Sequence, residues 1–382
     1  MKALVLPVLC TLIMTLVGCK KEPIELYWKY SSAAPSYSTP AIDPKGMLYF
    51  GNEAGALNAI DLDGKFRWRF NQTSDIASSP TVLDDVIYFG STNNYFYAID
   101  KKGLEYWKFR SDQRIKSDPI IIGQNVIFSS YDGRIYALDR FKGDLQWVFP
   151  PNERRLKDAQ LLPEEGVAAE DYTDVQKAML KQYDFKPGAF SYSSPIEADG
   201  VIYAGNMDGH MYAVKAETGE LLWRKKFEKQ ITSTPYVGEG MVYFGCHDKN
   251  IYALDAKTGK EIWKVSTQNE VWAATFFYDG ILYVGSQDKH LYAIEAKTGK
   301  VKWKFPTNGP VITRANVYKN LVLFAAGHGD NHFYAIDKDT QKEFYKFKTG
   351  SQIKSDISMH KNVAYFTSGD NFIYALKINQ TK

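Results

Sequence analysis

The chain has 382 residues, 45% of them apolar and 15% aromatic, which is ample material for a buried core. Its 47 basic and 44 acidic residues give a formal net charge of +3 without any basic block, and this excludes a nucleic-acid-binding surface of the polyelectrolyte kind. Of the three cysteines, Cys10, Cys19 and Cys246, the first two fall in an N-terminal leader and its end, so the fold must hold without an intramolecular disulfide.

Residues 1–18 read as a secretion signal. Lys2 supplies the positive start, and the apolar run 3–17 is shorter than the roughly twenty residues a membrane span needs. The charged stretch Lys20-Lys21-Glu22-Pro23 follows at once. The tetrad Leu16-Val17-Gly18-Cys19 resembles the lipobox of bacterial lipoproteins, which makes Cys19 the acylated first residue of the mature protein and residues 19–26 a lipidated tether. The alternative is an ordinary signal cut near Gly18 that leaves Cys19 as a free thiol. Lys20, where inner-membrane retention uses an aspartate, makes the periplasmic face of the outer membrane the address that the resemblance implies, with another membrane surface or the soluble periplasm as alternatives.

Residues 27–382 are one domain of repeats. The pattern apolar-Tyr-Ala-apolar-acid occurs at Ala98, Ala137, Ala253, Ala293 and Ala335, and with variations at Ala59, Ala213 and Ala375. These alanines stand 39 to 42 residues apart, except Ala137 and Ala213, which are 76 apart. Each repeat parses into four short strands. The first begins near Ser-Thr-Pro or Ser-Ser-Pro, as at Ser38-Thr39-Pro40, and the second is a run such as Val86-Ile87-Tyr88-Phe89-Gly90. A polar turn such as Asp132-Gly133 leads to the Tyr-Ala strand, and Lys257-Thr258-Gly259-Lys260 or a relative leads to a fourth strand centred on a tryptophan. Four strands per forty residues, eight times, predict an all-β fold: an eight-bladed β-propeller of four-stranded antiparallel blades.

The ends predict how the ring closes. The last repeat stops after Tyr374-Ala375-Leu376 without a tryptophan strand, whereas Tyr27-Trp28-Lys29-Tyr30 is a tryptophan strand without a blade. Pairing the two removes the open sheet edges. In the seventh blade Phe344-Tyr345 stands where the others have tryptophan.

The run Ala253-Leu254-Asp255-Ala256-Lys257-Thr258-Gly259-Lys260-Glu261-Ile262-Trp263, with its copy from Ala293 to Trp303, resembles the tryptophan-docking repeat of the pyrroloquinoline-quinone-type propellers. The resemblance implies the eight-bladed ring and two kinds of member. Quinoprotein dehydrogenases use the quinone with calcium, a catalytic aspartate and often a disulfide between adjacent cysteines. Non-catalytic lipoproteins are similar to the B subunit of the outer-membrane barrel-assembly machinery. No two cysteines are adjacent here and no acidic and amide cluster matches calcium ligands, so no cofactor, metal or catalytic residue is expected. The expected role is a non-enzymatic envelope scaffold, anchored through its lipid, that presents loops to protein partners such as an outer-membrane barrel assembly protein. A quinone-dependent redox protein and a sensor propeller with a small ligand in its channel are the alternatives.

Departures from the repeat mark the candidate sites. An insertion at about 150–190 is mixed in charge and predicts a short amphipathic helix over 173–183 through Val175, Met179 and Leu180, placed to overhang the channel mouth as a docking arm or as a tolerated surface loop. First strands line the channel, and there Lys116, Asp118, Trp272, Arg314, Lys354 and Asp356 replace Ser, Thr and Pro. They are candidates to bind a small anion or a peptide carboxylate, or to satisfy one another around water. The histidines of His328-Gly329-Asp330-Asn331-His332 read as solvated turn residues, and Cys246-His247 shows no oriented third group for catalysis.

Overall fold

A computed structural model describes residues 22–150 and 193–379. Alternating apolar residues with polar turns every few positions make short antiparallel strands, and these form eight four-stranded sheets. The first blade is β2 (Ala41–Ile42), β3 (Met47–Gly51), β4 (Ala56–Asp61) and β5 (Phe66–Asn71). Six blades follow with the same order, and β30 (Ser358–His360), β31 (Val363–Thr367) and β32 (Phe372–Ile378) begin the eighth. Its fourth strand is β1 (Ile24–Ser31), which pairs with β32 in the register Trp28↔Ala375 and Tyr30↔Ile373. The ring is thus closed by the N-terminal strand as expected. It takes up residues 24–26 as well, which the sequence reading had given to the tether, because Ile24 is fully buried against Ile378.

The Tyr-Ala pattern has a packing reason. Ala98 stands directly across the ladder from Trp107, so both side chains face the following blade, and the small alanine leaves the indole room to lie flat. Tyr97, one residue earlier, faces the preceding blade and packs with Tyr49, Ile87 and Phe89. Each buried ring removes about 150–250 Å² from water, worth several kcal/mol at about 25 cal/mol per Å² before entropy is counted.

Six of the indoles also dock on the next blade. The Trp223 Nε1–H donates to the Ala256 carbonyl at 2.9 Å, and the bonds from Trp28, Trp68, Trp107, Trp147 and Trp263 follow the same rule. The ring lies over the glycine of the third-to-fourth-strand turn. Gly259 has φ +67° and a Cβ there would stand 2.7 Å from Trp223, so this position requires glycine twice over. The same logic explains Tyr345. The blade after it is the eighth, whose fourth strand comes from the other end of the chain, so no such turn exists for a seventh-blade tryptophan to dock on. Trp303 departs differently: its partner turn carries Gln341 at φ 61° instead of glycine, and the indole makes no docking bond. A cavity of about 310 Å³ lined by Trp303, Tyr278, Tyr283 and Gln341 opens at that seam.

Two faces result. The second-to-third-strand turns and the blade-to-blade connections form the upper face; the first-to-second and third-to-fourth turns form the lower. Cys19, the insertion between Pro150 and Ser193 and the helix expected in it lie outside the described residues.

Candidate functional site

The segments just before the first strands, and not the strands themselves as the sequence suggested, put two channel-facing positions per blade around the axis, separated by a buried Ser, Thr or Ala. The lower of these positions runs Thr39, Ser79, Asp118, Ser194, Thr234, Ala274, Arg314 and Asp356. Most of them are welded into a ring. Thr39 N–H donates to Ser79 Oγ at 3.1 Å, Ser79 N–H to Asp118 Oδ1 at 2.6 Å, Asp118 N–H to Ser194 Oγ at 2.9 Å and Ser194 N–H to Thr234 Oγ1 at 3.1 Å. Across the other side Arg314 N–H donates to Asp356 Oδ1 at 2.7 Å and Asp356 N–H to Thr39 Oγ1 at 2.9 Å. The circle is interrupted where Ala274 and Arg314 offer no side-chain oxygen. Asp118 and Asp356 therefore serve first as inter-blade acceptors.

Their electrostatics follow from depth. Desolvation pushes the Asp118 carboxyl up to about 6, against the lowering effect of the Ser79 N–H; the Asp356 charge adds to the rise and Arg314 opposes it. Asp356 is raised by the same burial, with Arg314 again opposing.

The upper position carries Tyr37, Lys116, Thr232, Trp272, Ile312 and Lys354 around a mouth cavity of about 340 Å³, which Asp118 and Asp356 also line. Five of the six candidate side chains thus meet at one cavity. Arg314 does not: it lies with Asp118 and Asp356 at a separate opening of about 500 Å³ toward the lower face. In the segment before the seventh blade's first strand, Ile312 takes the upper position and Arg314, past the buried Thr313, the lower. Lys354 Nζ sits 4.6 Å from the centre of the Tyr37 ring, a cation–π contact. Asp75, which also lines the mouth, is raised by burial and by Glu53, with Lys116 opposing.

Trp272 is 44% exposed, yet its edge and one face are held. Its Nε1–H donates to Glu270 Oε2 at 2.7 Å, and its ring stacks on His247 at 5.3 Å and 21°. His247 Nε2 lies 2.7 Å from Thr232 Oγ1, and its Nδ1 lies 3.3 Å from Glu270 Oε2. His247 therefore does have an oriented carboxylate partner, contrary to the sequence reading, because the loop before Trp272 returns Glu270 over the neighbouring blade. Desolvation lowers its pKa, against the pull of Glu270 and Asp248, which favours the neutral imidazole. The trio positions an exposed indole at the channel mouth. Glu270, Thr232, Asp75 and Tyr37 escaped sequence reasoning; the signal for His247 was that one turn position of the fifth blade carries an imidazole where other blades carry Glu53, Thr92 or Tyr131.

The other histidine motif also differs from expectation. Asp330 is 4% exposed, accepts from Tyr334 Oη at 2.8 Å and lies 2.5 Å from His332 Nδ1, so this half of the turn is a packed network, while His328 and Gly329 are exposed as expected. Equivalent Tyr-to-Asp bonds at Tyr136, Tyr212, Tyr252, Tyr292 and Tyr374 show it is a blade-stabilising device.

A calcium–quinone pair does not fit these residues. Among the described residues no group of three or more His, Cys, Asp or Glu side chains is placed to hold a metal ion, and both channel aspartates already accept backbone N–H groups.

A family model described as outer membrane protein assembly factor BamB matches residues 25–104, 53–171, 173–275 and 247–380. A protein of that name from Marinobacter adhaerens is 44% identical over 50 residues, a stretch that spans 13% of this chain and 13% of that relative. BamB from Moraxella catarrhalis superposes with a TM-score of 0.71 at 15% identity, covering 93% of this chain and 99% of that one. Quinohemoprotein alcohol dehydrogenase from Comamonas testosteroni gives 0.69 at 14% identity, with 94% and 77% covered. At such identities these superpositions speak to fold alone.

Proposed function

The chain belongs to the family described as outer membrane protein assembly factor BamB, and from that premise we propose that it is a non-enzymatic envelope scaffold that acts in outer-membrane protein assembly. Cys19, acylated, would tether it to the periplasmic face of the outer membrane, and the rigid ring would present its loops to a barrel assembly protein. The family match along the whole ring carries this reading. The channel adds support, since Asp118 and Asp356 hold blades together, with hydroxyls and carboxylates accepting from neighbouring backbones. The insertion between Pro150 and Ser193 would be the docking arm on the upper face.

The test is crosslinking in intact cells, affinity purification of the acylated protein and mass spectrometry of what accompanies it. Recovery of an outer-membrane barrel assembly protein supports the scaffold. Absence of any partner from well-expressed protein removes it and favours a second reading, a small ligand at the mouth cavity, whose specific support is the exposed but immobilised Trp272. Calorimetry with candidate anions and peptides on the parent and Trp272→Ala proteins tests that one.

A further inference from the structure

The lower face combines three features that the scaffold role leaves unused. The first is apolar. Among the described residues twelve large hydrophobic side chains are exposed, and all but Trp272 lie at this face, in its turns or at the strand ends beside them. Leu104 is 64% exposed, Tyr106 and Phe141 58%, Phe66 51%, Ile262 48% and Tyr27 47%. They are spread over adjacent blades around the circumference, which suits a flat partner wider than the ring better than a single protein knob.

The second is charge. The third-to-fourth-strand turns carry exposed lysines at Lys65, Lys102, Lys142, Lys257, Lys297 and Lys342. The acids that open these turns are folded inward: Asp61 accepts from Lys65 N–H, Asp100 from Lys102 N–H, Asp139 from Lys142 N–H and Asp255 from Thr258 N–H. Exposed carboxylates share the face: Asp63, Asp144, Glu217, Glu220 and Asp339 stand in these same turns, and Asp84, Asp85, Asp199, Glu239 and Asp279 in the first-to-second-strand turns. The turn tips thus present ammonium groups and carboxylates beside aromatic and aliphatic side chains.

The third is where the chain comes from. Asn379 N–H donates to the Pro23 carbonyl at 2.9 Å and Tyr27 Oη to Asp63 Oδ1 at 3.2 Å, so the N-terminal segment enters at the lower face. Cys19 is three residues before Glu22, the first described residue, a span of at most about 10 Å of extended chain. If Cys19 carries the lipid, this face cannot be far from the bilayer.

We propose that the lower face of the ring rests on the headgroup layer of the membrane that holds the anchor, with its exposed aromatic and aliphatic side chains at the interface and its mixed turn charges hydrated among the headgroups. Tyr and Lys are suited to that layer, since an apolar body can settle among the acyl ends while the polar tip stays hydrated. The upper face, with the channel mouth and the insertion, then points into the periplasm toward partners. The proposal rests on the reading of Cys19 as lipidated.

Two measurements separate the claims. The full acylated chain is reconstituted in vesicles of phosphatidylethanolamine and phosphatidylglycerol, 3:1, with a fluorophore at Tyr106→Cys, at Phe141→Cys or, on the upper face, at Glu228→Cys. Flotation with the vesicles reports the anchor. Quenching by acyl-chain nitroxides should be at least threefold stronger at 106 and 141 than at 228, and equal quenching in floating protein overturns the proposal while leaving the anchor intact. The Cys19→Ser chain is then sedimented with the same vesicles. Leu104→Glu with Phe141→Glu should weaken its binding at least fivefold, with the fold checked by circular dichroism. Unchanged binding overturns the proposal even if the anchor reading fails.

Discussion

Asp118 Oδ1 accepts the Ser79 N–H of the neighbouring blade at 2.6 Å while its own N–H donates to Ser194 Oγ at 2.9 Å, so one channel residue links three consecutive blades. The link needs an acceptor oxygen and not a charge. Burial pushes the carboxyl up to about 6 from an unfolded value of 3.8. The folded state therefore holds the proton more tightly, and this group's contribution is complete below about pH 3.8 and is lost as pH rises through about 6. Asp118→Asn keeps an acceptor without the charge. Its unfolding free energy from urea titration should equal or exceed the parent's at pH 7.5, by up to the order of 2 kcal/mol, and the gain should shrink at pH 4.5. A variant less stable than the parent at both pH values would show that the charge itself supports the fold.

Gln341 offers a second test. It occupies the left-handed conformation that glycine holds in the homologous turns, and its side chain stands where Trp303 would dock. Gln341→Gly removes a strain of about 1–2 kcal/mol and lets the indole reach the Lys338 carbonyl, worth roughly 1 kcal/mol, against the extra freedom that glycine gives the unfolded chain. The net expectation is a gain of about 1 kcal/mol in chemical unfolding, together with reduced acrylamide quenching of Trp303. The converse substitution, Gly259→Val, should destabilise by more than 3 kcal/mol, since it adds a β-branched side chain at φ +67° and a clash with Trp223.

Cys246 should be silent to thiol reagents. It is fully buried, donates weakly to the Lys229 and Gln230 carbonyls, and burial pushes its thiol up to about 12. Native protein lacking Cys19 should take up no maleimide at pH 8 over hours and should react stoichiometrically in denaturant. Rapid native labelling would mean that the fifth blade opens.

The ring was legible in the sequence because its determinants are local and repeated. Ala98 and Trp107 lie nine residues apart on one hairpin, and the orphan strand at Trp28 announced its partner at Ala375. Even the seventh-blade Tyr345 follows from the missing eighth-blade turn. The mouth was not legible in the same way. Glu270, His247 and Thr232 sit in different turns and strands, and only the curvature of the ring brings them together around Trp272. Arg314 faces the channel, but it stands two residues beyond Ile312, with buried Thr313 between them, and so lines the lower opening and not the mouth.

The histidine at the mouth contributes to the acid limb of stability. Desolvation lowers the His247 pKa below 6.5, so the folded state resists a proton that the unfolded chain accepts. Its contribution is complete above about pH 6.5 and is lost as pH falls through the depressed folded value. Protonation would also disturb the pairing with Thr232 Oγ1 and the stack on Trp272. His247→Gln keeps hydrogen-bonding capacity without the titration, so the loss of stability between pH 7 and pH 5 should be smaller in the variant than in the parent. His210 is lowered by the same cause and remains in both proteins, which leaves a residual acid loss for comparison. Trp272 fluorescence read alongside the unfolding curve locates the event: a red shift below pH 6 that precedes global unfolding in the parent and is absent from His247→Gln places the first acid opening at the channel mouth, whereas coincident curves in both proteins place it elsewhere in the ring.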